Sequence, residues 1–128
     1  MTQAELDAEG RVFIDDYLAF WGTEKFAGLY HVPSVTVRAD GTVHILQSRE
    51  EIERFFSGVQ RAYDLEGAKR WNIVSLDVKA IGGQSALITP DWQMLREDGS
   101  VVRSWRQSYN VVRMNGQFRV LVSTFHLP

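Results

Sequence analysis

Residues 101–125, VVRSWRQSYNVVRMNGQFRVLVSTF, decide the fold of this chain. Within them, Asn115-Gly116 separates two runs in which apolar and polar residues alternate. An Asn-Gly pair between alternating runs is the strongest short-range signal for a β-hairpin. The run before the turn, 101–114, is about twice as long as an ordinary strand of roughly five to six residues. Such a long strand in a small domain must twist and bend, which predicts a strongly curved sheet.

Two earlier turn signals extend this pattern toward the N-terminus. Asp98-Gly99 precedes the long strand, and Gly82-Gly83 follows a run over 74–80 that also alternates. Three consecutive hairpin signals predict an antiparallel meander of four strands. A shorter hairpin is expected earlier in the chain, over 35–46.

Helical periodicity is confined to the N-terminal half of the chain. Residues 3 to about 21 predict an amphipathic helix, and a second, short helix is expected before Pro33. Ser48, followed three residues later by Glu51, is a capping box that starts a third helix. Helices followed by strands predict an α+β fold, with N-terminal helices packed on a strongly curved antiparallel sheet, an α+β cone or barrel. With 128 residues, we expect a single domain over 1–128.

The composition argues against several classes of partner. The net charge is −2, and the densest basic stretch, 96–106, is interrupted by Glu97 and Asp98, so nucleic acid is not an expected partner. The chain has no cysteine, which excludes disulfides and thiol chemistry. It shows neither a secretory signal nor an apolar run of about 20 residues. We therefore expect a cytoplasmic protein with no membrane partner.

These elements, in this order, resemble the nuclear transport factor 2-like superfamily, also described as SnoaL-like or cystatin-like. The segments that carry the resemblance are 13–30, 48–56 and 115–126. The resemblance implies a cone-shaped cavity between the concave sheet and the first and third helices, and frequent homodimerisation through the sheet. It does not imply one activity, because the superfamily includes ketosteroid isomerase, polyketide cyclases and transport factors.

Ketosteroid isomerase is the most concrete mechanistic comparison. That family uses a tyrosine on the first helix, an aspartate base after the first strand and a protonated acid on the third strand of the sheet. By resemblance, Tyr17 matches the tyrosine, Asp40 matches the base, and Asn110 stands near the position of the acid. An amide can donate a hydrogen bond to an oxyanion, but more weakly than a protonated carboxylic acid. The alternative is that Tyr17 belongs to the core and Asp40 to the hairpin turn.

A further carboxylate and the three histidines are also candidates. Asp91 would be a base if it faced the cavity, but the preceding Pro90 favours a bulge that faces solvent. His31 is expected to end the second helix, and His44 to be exposed. His126, after the last strand, lies either at the wide mouth of the cone or on the surface. No two histidines have metal-ligand spacing, so we expect neither a metal nor a cofactor.

Two hypotheses of function remain open at this point. In the first, the protein is a cofactor-independent isomerase or lyase for a small apolar or polycyclic molecule, with Asp40 moving a proton and Tyr17 and Asn110 stabilising charge on an oxygen. In the second, the same cavity binds a ligand or serves assembly without catalysis. A carboxylate that points into the cavity would favour the first hypothesis. The side chains expected to contact the small molecule are Trp21, Phe56, Trp92, Val112, Leu121, Ser123, Phe125 and His126.

The two faces of the long strand carry the remaining expectations. Successive side chains of a strand point to opposite faces, so Asn110 and Val112 share one uncharged face, which we assign to the concave side. Trp105 and Tyr109, on the other face, would then form an exposed apolar patch. This patch predicts a homodimer that forms through the convex face of the sheet.

Overall fold

The computed structural model describes residues 1–126. It contains two α-helices, one turn of 3-10 helix and six strands. The second α-helix lies between the second and third strands. The helical elements are α1 (Gln3–Phe20), the 3-10 turn (Phe26–Leu29) and α2 (Arg49–Leu65). The strands are β1 (Tyr30–Val37), β2 (Val43–Leu46), β3 (Arg70–Gly82), β4 (Ser85–Leu95), β5 (Val101–Met114) and β6 (Gln117–Phe125). No helix within residues 1–126 is both long enough and apolar enough to cross a membrane.

The sheet confirms the α+β class and the meander. Its strands lie in the order β2-β1-β6-β5-β4-β3, and β3 to β6 are antiparallel neighbours. The expectation of a wholly antiparallel sheet is wrong in one place, because β1 and β6 pair in parallel. The chain leaves the β1–β2 hairpin through α2, starts the meander at the far edge of the sheet, and returns with β6 beside β1. The resulting sheet is mixed, with the C-terminal strand β6 between β1 and β5.

The predicted second helix is reduced to the single 3-10 turn, and β1 begins at Tyr30. Pro33 therefore lies inside a strand instead of ending a helix. Proline has no N–H for the ladder, and the β1–β6 pairing passes from Tyr30 to Val35 across it. His31 does not cap a helix, since its Nδ1 is 2.8 Å from the carbonyl oxygen of Pro33. His44 is half-buried, and its ring packs 5.0 Å from that of Phe55 on α2.

Local capping signals begin both α-helices. Thr2 and Glu5 form a reciprocal capping box at α1. At α2, the Ser48 hydroxyl accepts a hydrogen bond from the Glu51 N–H at 3.1 Å, as predicted. The Glu51 carboxylate turns one residue further back and accepts from the Gln47 N–H at 2.6 Å. The capping box predicted at Ser48 is therefore only half formed, because the Glu51 carboxylate binds the N–H of Gln47 instead of that of Ser48.

The sheet has an inner face, which packs on the helices, and an outer face. On β5 the inner face carries Gln107 and Tyr109; Tyr109 is 1% exposed, and its ring lies 6.1 Å from that of Phe13 on α1. Side chains alternate along the strand, so Asn110 and Val112 lie on the outer face. Their assignment to the concave side is wrong. The face of β5 that lines the cone is the one with Tyr109, not the one with Asn110.

An ion pair explains why the charged face of β5 can turn inward. The guanidinium of Arg113, near the C-terminal end of β5, lies 2.6 Å from the carboxylate of Glu9 on α1. Both side chains are largely buried, at 19% and 25% exposure. Arg113 also packs 4.9 Å over the ring of Phe118. Its charge is therefore neutralised beneath the helix, where the sequence pattern suggested a solvated side chain.

Candidate functional site

A cavity opens between the inner face of the sheet and the two α-helices. Its volume is about 50 Å³, room for only a few water molecules, because aromatic rings fill most of the cone. Six of the side chains predicted for the site line it, from α1, α2, β4 and β6. They are Tyr17, Trp21, Phe56, Trp92, Ser123 and Phe125.

One wall of the cavity is a row of parallel rings that crosses three strands. The rings of Trp92 and Trp105 lie 6.4 Å apart at an interplanar angle of 28°, and those of Trp105 and Phe125 lie 6.5 Å apart at 21°. The guanidinium of Arg38, at the end of β1, continues the row 4.7 Å over Phe125. A flat ring with a polar edge is the shape of ligand that such a wall accommodates.

Buried tyrosine hydroxyls lie in and beside the cavity. The hydroxyls of Tyr17 and Tyr30 lie 2.8 Å apart, and the Trp92 indole donates to the Tyr109 hydroxyl at 3.1 Å. Burial, together with the neighbouring phenols, raises the pKa of Tyr17 well above its usual value. Burial likewise raises the pKa of Tyr30 and of Tyr109. These groups therefore stay protonated near neutral pH and can donate hydrogen bonds, but they cannot act as bases.

A second polar chain crosses the cavity wall from β5 to β6. The Trp105 indole donates to the Gln107 side-chain oxygen at 3.0 Å, and the Gln107 amide donates to the Ser123 hydroxyl at 2.6 Å. Gln107 and Ser123 are 4% and 1% exposed. Because each buried group has a partner, this chain positions Trp105 and is itself satisfied.

Two other polar atoms of the lining have no partner. The Trp21 indole nitrogen and the Thr36 hydroxyl are buried, and neither makes a hydrogen bond within residues 1–126. Leaving such a group unpaired costs about 1–3 kcal/mol. Arg38 lies just after the end of β1, two residues beyond Thr36, and is the one charged side chain in the lining among residues 1–126. The cavity thus presents free donors and a positive charge.

Asp40 does not lie in the cavity. It is exposed in the β1–β2 turn, where its carboxylate accepts a hydrogen bond from the Thr42 N–H at 2.9 Å. That hydrogen bond lowers its pKa, with a smaller contribution from the charge of Arg38. Its predicted position as the base is wrong, and the alternative, a turn residue beside glycine, describes it.

Asp91 lies on the outer face. It accepts hydrogen bonds from the Ser75 hydroxyl and, at 2.9 Å, from Arg106, which also pairs with Asp77 at 2.8 Å. The bond from Ser75, followed by the charge of Arg106, lowers the pKa of this carboxyl. Asp91 is therefore an ionised group of the sheet surface. The bulge beside it belongs to β3, where Val74 is the extra residue opposite Asp91 and Trp92, while Pro90 keeps its place in β4.

Three more of the side chains predicted to contact a ligand, namely Val112, Leu121 and His126, do not line this cavity. Val112 is on the outer face with Asn110. Leu121 is the extra residue of a bulge, since Val120 and Val122 pair with consecutive residues of β5. The His126 ring lies beyond the end of β6, 2.7 Å from the outer-face hydroxyl of Ser108. Within residues 1–126, no three carboxylate or imidazole side chains are grouped as a metal site requires.

Sequence reasoning missed several residues of the lining. They are Leu18, Thr36, Arg38, Phe55, Val59, Tyr63, Trp71, Trp105, Gln107 and Tyr109. The sequence of β5 contained a usable signal, because Trp105, Gln107 and Tyr109 are two residues apart and therefore share one face of the strand. Thr36 and Arg38 gave none, because an alternating polar residue on a short strand normally faces solvent.

Several solved structures share this fold. Aln2 from a Streptomyces species superimposes with a TM-score of 0.74 at 20% identity, covering 99% of this chain and 94% of that one. A protein of unknown function with a cystatin-like fold from Nostoc punctiforme gives 0.78 at 14% identity, covering 100% and 94%. A candidate ketosteroid isomerase from Parabacteroides distasonis gives 0.68 at 14% identity, covering 92% and 84%. At these identities the likeness concerns the fold alone.

Comparison of the sequence with curated proteins found no match. Comparison with family models did: the model described as NTF2-like protein (DUF6841) matches residues 8–128, which is nearly the whole chain. The mixed sheet, the helices on its concave side and the cavity between them agree with that match. This chain belongs to the NTF2-like family DUF6841.

Proposed function

We propose that this protein binds a small, planar, largely apolar molecule in the cone cavity and does not catalyse acid–base chemistry on it. One observation carries the proposal: the cavity is lined by aromatic side chains, and neither candidate carboxylate is among them. Asp40 lies in a turn, and Asp91 lies on the outer face. Mostly apolar walls with a few polar groups are typical of ligand sites.

An isomerase or lyase would need a base that accepts a proton near neutral pH. Over the described part of the chain, residues 1–126, the lining contains no carboxylate and no histidine. Its tyrosines have raised pKa values and hold their protons. Asn110, the third member of the predicted catalytic set, is on the opposite side of the sheet from Tyr17. The ligand-binding hypothesis therefore has the stronger support of the two.

The proposal can be tested with phenol and cyclohexanol, two neutral probes of similar size of which only phenol is planar. In a titration followed by NMR, phenol should shift the indole N–H signals of the tryptophans that line the cavity, and cyclohexanol should shift them much less. Phenol is small enough to enter beside the aromatic wall with limited movement of side chains. If phenol leaves every indole signal in place up to the highest concentration that the folded protein tolerates, the proposal is wrong.

Matched variants locate the site. Val59 on α2 lines the cavity, whereas Val12 on α1 is 60% exposed. Val59→Phe should fill the remaining space and weaken phenol binding by about tenfold or more, whereas Val12→Phe should leave it unchanged. Near-ultraviolet circular dichroism checks that both variants keep the native packing. Equal phenol affinity in two folded variants would place the binding elsewhere.

A further inference from the structure

The charge of Arg38 distinguishes the mouth of the cavity from its interior. Its guanidinium lies 4.7 Å over the ring of Phe125, at the end of the aromatic wall. Among residues 1–126, no carboxylate lies within 4.0 Å of this side chain. Three other arginines of the sheet are paired: Arg103 with Glu66, Arg106 with Asp77 and Asp91, and Arg113 with Glu9. Arg38 is thus a half-buried cation that has no carboxylate partner among the described residues.

Other charges near Arg38 do not neutralise it in the cavity. Asp40 is two residues away, but its carboxylate is in the turn and accepts from the Thr42 N–H. Tyr63, on the helical side of the cavity, has a pKa that burial raises and that the charges of Arg103 and Arg38 pull back down. The cation therefore acts on the cavity, where the lining offers no anion to balance it.

A single kind of group, a hydrogen-bond acceptor, would satisfy all the unpartnered atoms of the lining. The Trp21 indole nitrogen and the Arg38 guanidinium are donors without acceptor capacity, and the Thr36 hydroxyl can donate as well. Thr36 is 1% exposed, so bulk water does not reach it freely. Thr36 lies on β1, Arg38 follows two residues later just after the strand ends, and Trp21 approaches from the end of α1. A carboxylate brings two oxygens with about four acceptor sites to such a group of donors.

We propose that the occupant is a planar aromatic carboxylate with one ring, its ring against the Trp105–Phe125 wall and its carboxylate on Arg38 and Thr36. This inference rests on the proposed function and adds the charge of the ligand. We limit the proposal to one ring because a cavity of about 50 Å³ would require more of its aromatic side chains to move for a polycyclic molecule than for a single ring.

The test compares benzoate with benzamide, which has the same ring and nearly the same shape but no charge. Isothermal titration calorimetry at low ionic strength should give benzoate an affinity about tenfold or more above that of benzamide, as a charge-assisted hydrogen bond predicts. Raising the salt concentration from about 20 mM to about 500 mM should weaken the binding of benzoate and leave the affinity for benzamide nearly unchanged. This arm uses the unaltered protein and does not depend on the folding of a variant.

Variants assign the effect to residues. Arg38→Gln should remove the preference for benzoate over benzamide. Thr36→Val, which keeps the shape of the side chain, should lower the affinity for benzoate by about threefold to tenfold. Arg61→Gln is the matched control, because Arg61 is an exposed arginine on α2 outside the lining, and it should change neither affinity.

The outcomes separate the two proposals. If benzamide binds as tightly as benzoate, or if the preference survives in Arg38→Gln, the carboxylate inference is wrong while binding of planar molecules stands. If 2-naphthoate binds more tightly than benzoate, the limit to one ring is wrong. If phenol, benzamide and benzoate all fail to bind, the proposed function fails and the inference fails with it.

Discussion

At the scale of single residues, the tyrosines are the most perturbed groups of the molecule. All 4 tyrosines of the chain are buried, namely Tyr17, Tyr30, Tyr63 and Tyr109. Burial is the largest cause of the raised pKa of each one. Their hydroxyls and rings hold α1, β1, α2 and β5 together around the cavity. The native state therefore disfavours the ionised form of these phenols.

We predict that no tyrosine ionises while the protein is folded. An unfolded tyrosine has a pKa of about 10, so above that pH the unfolded state binds fewer protons than the native state. Stability is therefore fully present below about pH 10 and is lost as the pH rises toward the raised native pKa values. A spectrophotometric pH titration should show tyrosinate appearing in one step, together with the loss of circular dichroism. A tyrosine that titrates near pH 10 with the fold intact would contradict this.

At the scale of elements, Gly10 sets how closely α1 approaches the sheet. Glycine inside a helix normally costs about 1 kcal/mol relative to alanine, and from the sequence alone Gly10 is a weak point of α1. In the structure Gly10 is buried, and a Cβ at this position would lie 2.6 Å from Cγ2 of Val78 on β3. Valine has little freedom to move that methyl group. The missing side chain therefore lets the helix lie directly on the strand.

We predict that Gly10→Ala lowers the free energy of unfolding by about 1–2 kcal/mol, because overpacking outweighs the gain in helix propensity. Gly58→Ala is the matched control: Gly58 is in the middle of α2, and a Cβ there would have nothing within 4 Å. That change should raise the free energy of unfolding by about 0.5–1 kcal/mol. Urea denaturation measures both. Stabilisation by Gly10→Ala would mean that α1 and β3 do not pack this closely.

At the scale of the whole molecule, the outer face gives a new basis for the expected homodimer. The basis in the sequence pattern is wrong, because Trp105 and Tyr109 line the cavity instead of forming an exposed patch. However, a line of residues that pair across neighbouring strands crosses the outer face from β2 to β4. All of its members are apolar except Asn110. It consists of Ile45, Val35, Val122, Asn110 and Leu87. Ile45 is 60% exposed, and Val43, on the same face, is 55% exposed.

We therefore still predict a homodimer through the outer face. Sedimentation at micromolar concentration should give about twice the chain mass of 14.6 kDa. Val122→Lys, at the centre of the apolar line, should convert the dimer to a monomer, since a buried unpaired charge at an interface is costly. Val12→Lys, on the exposed side of α1, should not. A monomer for the unaltered chain would disprove the prediction.

Signals between residues close in the chain determined the elements. The Asn115-Gly116 turn is present with positive φ at both residues, and β5 spans the predicted 101–114. Ser48 caps α2. Turns and caps depend on backbone groups a few residues apart, so the amino-acid sequence specifies them directly. The curved sheet with helices on one side followed from these elements in order.

Only the tertiary structure decided which face of β5 is concave and therefore which residues form the site. Alternation along a strand defines two faces but not which one is buried. The inward face buries Tyr109 and Val111, and it can carry Arg113 because that side chain pairs with Glu9, 104 residues away in the chain. The same arrangement places Asn110 outside. Thr36 and Arg38 enter the cavity because β1 pairs in parallel with β6, a long-range contact with no local signal.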